Sequence, residues 1–109
     1  MTADFAVKFT LEAGEDLAAI SDRATVEVIV RRAFALKQEP LKQGKPLRGP
    51  LKNYRSVHAA GQRYRIVYQV AVEAGQVVIV VIGIRKAGDK TDAYLYFGVY
   101  SGQVSRRQV

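Results

Sequence analysis

The chain has 109 residues, with 17 Lys/Arg against 10 Asp/Glu, a net charge of +7, and 49% hydrophobic residues. That length and apolar content suit one globular domain spanning 1–109 and exclude a disordered polyelectrolyte. With no cysteine, disulfides and thiolate metal sites are excluded, which fits a reducing, cytoplasmic setting.

The N-terminus, "MTADFAVKFT", lacks the basic start and apolar run of a signal peptide, so none is expected. Residues 4–10 roughly alternate and read as a strand. Residues 11–20 read as a first helix with Leu11, Leu17 and Ile20 on one face, weakened by Gly14. Thr25 is the expected N-cap of a second helix, in which Val26, Ile29, Val30, Ala33 and Phe34 form an apolar stripe and Arg31, Arg32 and Lys37 lie on other faces. Pro40 marks its stop.

Residues 40–53, "PLKQGKPLRGPLKN", hold three prolines and two glycines, a density that predicts an extended surface connection without regular structure. The period then changes to two. Strands are expected at 54–59, 63–72 and 76–84, joined by turns at "AGQ" and "EAG". The third is apolar on both faces, as a central strand should be, and is too short to span a bilayer, so no membrane role is expected. A further strand or short helix is expected at 92–100, and 101–109 reads as a mobile tail. The fold class is therefore α+β: a strand, a two-helix hairpin, then an antiparallel meander with both helices on one sheet face.

Charge is concentrated in the middle of the chain. Residues 1–39 carry a net −2 and residues 73–109 a net +2, while residues 40–72 carry seven bases and no acid. A segment of that kind points to a polyanionic partner, with nucleic acid the leading candidate. Residues two apart in a strand share a face. Tyr64, Ile66, Tyr68 and Val70 thus form a core layer, and Arg63 and Arg65 should stand together on the opposite face, joined by Arg55 and by Arg85 or Lys86. A buried arginine without a partner is too costly, so that face must be open or paired. The expected result is a cationic surface for a phosphate backbone, with Lys45, Arg48 and Lys52 contributing from the connection.

The stretch "KPLRGPLKNYRSVHAAGQRYRIVYQV", followed by "VVIVVIGIRKAGDKTDAYLYF", resembles the RelE/ParE superfamily of bacterial type II toxins. The likeness covers nearly all of residues 4–97. It rests on the L-R-G segment, the tyrosine-basic strand, Y-R-I-V-Y, and the basic exit from the last core strand. It implies a growth-inhibiting toxin neutralised by a cognate antitoxin. RelE-type members act at the ribosome and cut mRNA; ParE-type members poison DNA gyrase. The resemblance implies RelE-type site roles for Arg55, Arg65, Arg85 or Lys86, and Tyr94 (less closely Tyr96). Val57 stands where the RelE type has a second lysine, and His58 beside it should face the other way.

Metal-free RNA cleavage proceeds by attack of the 2′-hydroxyl on the adjacent phosphate. It needs a proton acceptor, a donor and positive charge around the developing dianion. Arginine supplies charge but is a poor base, with a pKa above ~12. Tyrosine and lysine, near ~10, need depression by neighbouring cations. His58, with an ordinary imidazole value near ~6.5, is suited without a shift. One histidine, no cysteine, and Asp89 and Asp92 alone make no convincing ligand set, so neither metal nor cofactor is expected.

Overall fold

The computed structural model describes residues 4–84. Strand β1 (Ala6–Phe9) leads directly into helix α1 (Leu11–Ala18), and Thr10 makes the junction. Its hydroxyl oxygen accepts from the Ala13 amide at 3.1 Å, capping the helix. Its own amide donates to the Ile79 carbonyl at 3.0 Å. Gly14 lies on the exposed side of α1 and meets no neighbour, so the helix tolerates it. Helix α2 (Arg23–Phe34) begins two residues before the expected Thr25 cap, with Asp22 in the cap position. Thr25 is instead the donor to the Asp22 carboxylate, at 2.6 Å. The apolar stripe behaves as its period requires at Ile29 and Ala33, which are fully buried. Phe34 sits at its edge, 46% exposed, its ring 5.8 Å from that of Phe9.

The connection 40–53 is more ordered than its prolines suggest. It contains a two-residue strand β2 (Lys45–Pro46) and a 3₁₀ turn at Gly49–Leu51. Pro46 is tolerated because β2 is an edge strand with few ladder bonds to lose. Strands β3 (Tyr54–Ala59), β4 (Tyr64–Ala71) and β5 (Gln76–Ile84) follow within a residue of the expected bounds. Arg63 is the exception. It falls in the turn before β4, where its amide donates to Ala60 at 3.2 Å, and Ala60, Gly61 and Gln62 take positive φ in succession.

The sheet order is β1-β5-β4-β3-β2, with β1 parallel to β5 and the remaining pairs antiparallel. The helices pack on one face, where Ile29, Ala33 and Leu36 meet Val57, Ile66, Tyr68, Val77 and Ile79. A bulge in β5 sets Val67 opposite Val81 and Tyr68 opposite Ile79, leaving Val80 as the extra residue. Among the described residues no helix covers the other face, which is only partly open. Leu47 and Leu51 fold back from the connection over Val67 and Val81, making a second, smaller core. The expectations at 92–100 and 101–109 lie outside the described residues.

Candidate nucleic-acid interface

Alternation along β4 works as the sequence requires: Tyr64, Ile66 and Tyr68 join the helix-side core, and Val67 joins the opposite one. Arg65 shares the face of Val67. It is 7% exposed, so it is buried rather than laid open on the surface. Its register partner on β3 is His58, and its guanidinium nitrogen lies 3.3 Å from His58 Nε2. A guanidinium has no lone pair to offer, so the imidazole nitrogen must be the acceptor. This contact requires the tautomer with its hydrogen on Nδ1. Val57, one residue earlier, faces the helices at 5% exposure. The opposite orientation expected for His58 is therefore the one that brings it to Arg65.

Lys45 pairs with Ser56 in the β2–β3 ladder, and these two residues share the face of His58 and Arg65. Together with Arg32 of α2 they line a cleft of about 600 Å³ at the β3 edge of the sheet, with Val57 forming part of its wall. Three residues singled out from the sequence, Lys45, His58 and Arg65, thus converge. Arg32 and Ser56 join them without having been anticipated. Helical periodicity marks Arg32 only as off the core stripe. Its place in the cleft follows from the return of the connection beside α2, where it donates to Gln43 Oε1 at 2.8 Å.

Other expected members are held elsewhere. Arg55 does not share the face of Arg65. It lies on the helix side, its Nε donating to the Gln43 carbonyl at 3.1 Å and an Nη to the Gly44 carbonyl at 3.4 Å. Its register partner Tyr68 stands at 2.9 Å from the Pro40 carbonyl and 2.8 Å from that of Gln43, two acceptors for one hydroxyl proton. Burial pushes the Tyr68 phenol above its ordinary value, with the nearby Arg55 guanidinium opposing the shift. Arg63 does not stand beside Arg65 either, since the turn carries it to the α1–α2 end. There it lines a separate pocket of about 410 Å³ with Asp16 and Asp22. The Thr25 hydroxyl holds the Asp22 carboxyl below the usual carboxylate range, with the charge of Arg63 a minor contributor.

Arg48 is exposed beside Lys45 at an apolar groove floored by Pro46, Leu47 and Leu51, and Lys52 is exposed next to it. Arg85, Lys86, Tyr94 and Tyr96 lie outside the described residues. The strand that precedes them sets Gly83 opposite Arg65. Among the described residues no group of three or more His, Cys, Asp or Glu could hold a metal, and no helix is long and apolar enough to cross a membrane.

Residues 7–90 match the family model described as the ParE toxin of the type II toxin-antitoxin system parDE. A chain of the RelBE2 toxin-antitoxin complex from Mycobacterium tuberculosis is 34% identical and superposes with a TM-score of 0.68, covering 78% of this chain and 95% of that one. The chromosomal ParDE system of P. aeruginosa gives 21% identity and a TM-score of 0.65, over 78% of this chain and 100% of that one. A free mutant of the E. coli toxin RelE gives 18% and 0.69, over 91% and 97%. These last two likenesses concern the fold alone. No curated protein matches the chain.

Proposed function

The chain belongs to the ParE toxin family of type II toxin-antitoxin systems, and from that premise we propose that it arrests growth in the cytoplasm by ribosome-dependent, metal-free cleavage of mRNA. The observation that carries this reading is the convergence of Arg65, His58, Lys45 and Ser56 on one cleft. The 34% identity to a chain of a RelBE-type complex supports it.

Arg65 is the phosphate-binding residue of this scheme. Its low exposure places the guanidinium in a medium where charge acts strongly on a developing dianion. His58 Nε2 is occupied by Arg65 in the free protein. When a phosphate oxygen draws the guanidinium away, Nε2 becomes able to accept the 2′-hydroxyl proton, so binding exposes the base. Lys45 adds charge from the opposite wall. Tyr94, with Arg85 or Lys86, completes the set as leaving-oxygen donor and further charge. A base that must first exchange partners is a slow one, and a large partner that holds the message in line supplies the missing rate. The ribosome is that partner in this reading.

A second reading, poisoning of DNA gyrase without catalysis, draws on the burial of Val57 and the loop contacts of Arg55. Of two positions that carry cations in RelE-type sites, one holds a valine here and the other, Arg55, does not line the cleft. Induced expression with simultaneous mapping of messenger 5′ ends and gyrase supercoiling separates the two readings. New 5′ ends in translated messages, lost in Arg65→Ala, support cleavage. DNA breaks with intact messages overturn it.

The cognate antitoxin is the inhibitory partner. The groove over Pro46, Leu47 and Leu51, rimmed by Lys45 and Arg48, suits an apolar helical segment bearing acids. Raising salt should weaken that complex only in part, because apolar contact persists when charges are screened. Complete dissociation in moderate salt would count against this docking mode.

A further inference from the structure

Strand β2 is two residues long and pairs with Arg55 and Ser56, so among the described residues the outer edge of β3 has no strand beside it from Val57 onward. The cleft occupies that gap. Val57 belongs to the helix-side core and His58 faces the other way, yet both line it. A cavity bordered by adjacent residues of one strand crosses the sheet edge and opens to both faces. Its cations are distributed accordingly. Arg65 and Lys45 approach from the face opposite the helices. Arg32 approaches from the last turn of α2, on the helix side.

Arg32 is also held in place. Its Nη1 donates to Gln43 Oε1 at 2.8 Å, while the Gln43 side-chain amide donates to the carbonyls of Ala35 and Gln38 at 2.9 and 2.8 Å. The glutamine is thus fixed from both ends of its amide, and the guanidinium is fixed by the glutamine. A half-buried arginine anchored through one nitrogen loses less entropy on meeting a phosphate than a free surface side chain.

Resting on the cleavage reading above, we propose that single-stranded RNA passes over the open edge of β3 instead of lying along the sheet face, and that Arg32 binds a phosphate flanking the one held by Arg65. The sheet edge then acts as a saddle. Arg65 grips the strand on one side and Arg32 on the other, with Lys45 at the gap between them. Arg32 is a binding residue of this path and takes no part in proton transfer.

The test is fluorescence anisotropy with a labelled 2′-O-methyl octanucleotide, which binds without being cut, titrated at several salt concentrations. Each phosphate contact to a single strand contributes about 0.7 to the slope of log K against log salt. Arg32→Gln should reduce the slope by about 0.7 and weaken binding about five- to ten-fold at 50 mM salt. Arg32→Lys should keep the slope, because the cation remains. Lys8→Gln, on exposed β1 at the far edge of the sheet, should leave both quantities unchanged. Circular dichroism melts of each variant show whether the fold is kept. If Arg65→Gln lowers the slope while Arg32→Gln does not, the saddle path is wrong and the cleavage reading stands. An equal loss in Lys8→Gln and Arg32→Gln also overturns the path, since net charge alone would explain it. Failure of the wild-type chain to bind the oligonucleotide overturns the path as well, while the cleavage reading falls only if induced expression leaves messages intact.

Discussion

Arg55 and Arg65 occupy neighbouring strands of one sheet, yet the two faces use them differently. On the helix-covered side Arg55 reaches two main-chain carbonyls of the connection, Gln43 and Gly44, and becomes part of a knot that includes Tyr68. On the other side Arg65 meets the His58 imidazole at the wall of a cleft. Carbonyl acceptors of the connection tie the Arg55 guanidinium to structure. The Arg65 guanidinium instead lies where a cavity reaches it. What surrounds an arginine decides whether it staples or binds, and here a single change of face decides the surroundings.

That contrast can be broken from the structural side first. Ile66→Ala removes a fully buried side chain from the helix-covered face and should cost about 4 kcal/mol in urea denaturation. Gly44→Ala should cost about 3 kcal/mol. Its φ of +65° is strained for any side chain, and an added Cβ would collide with the Ser56 carbonyl and come within 2.8 Å of Val57 Cγ1.

Tyr68→Phe leaves a carbonyl of the knot short of a donor and should lower stability by about 1–2 kcal/mol. It has a pH signature as well. The Tyr68 phenol titrates higher in the folded chain than in the unfolded one, so its contribution is complete below the ordinary tyrosine range near ~10 and is lost as pH rises beyond it. Thermal melts should show the wild type losing more stability than Tyr68→Phe between neutral and strongly alkaline pH. Arg65→Gln should have the smallest effect on stability, within about 1 kcal/mol, because removing a desolvated charge offsets the lost packing. Its effect on growth arrest should nevertheless be complete. A variant that unfolds would place Arg65 with the staples.

The strands β3, β4 and β5 and the inward set Tyr64, Ile66 and Tyr68 could be read from sequence because period-two patterning is local. Helix α2 could be read for the same reason, apart from its start, where Asp22 outcompetes Thr25 for the cap position. The order in the connection is not legible, because prolines forbid long ladders but not a two-residue edge pair. Arg63 lies a single residue outside its strand, enough to move it into the turn and beside Asp16 and Asp22. The face of Arg55 is not legible either, because the carbonyls that hold it come from the folded connection, which no periodicity reveals. The place of Arg32 is hidden for a related reason, its neighbours in space being eleven to thirty-three positions away in the chain.

The parallel pairing of β1 with β5 joins Ala6 to Gln76 and Phe9 to Ile79. An N-terminal segment emerging first during translation has no neighbour to zip against until the final described strand has been made. Closure of this edge of the sheet therefore waits until residues 76–79 have been made, while the β3–β4 hairpin needs no such partner.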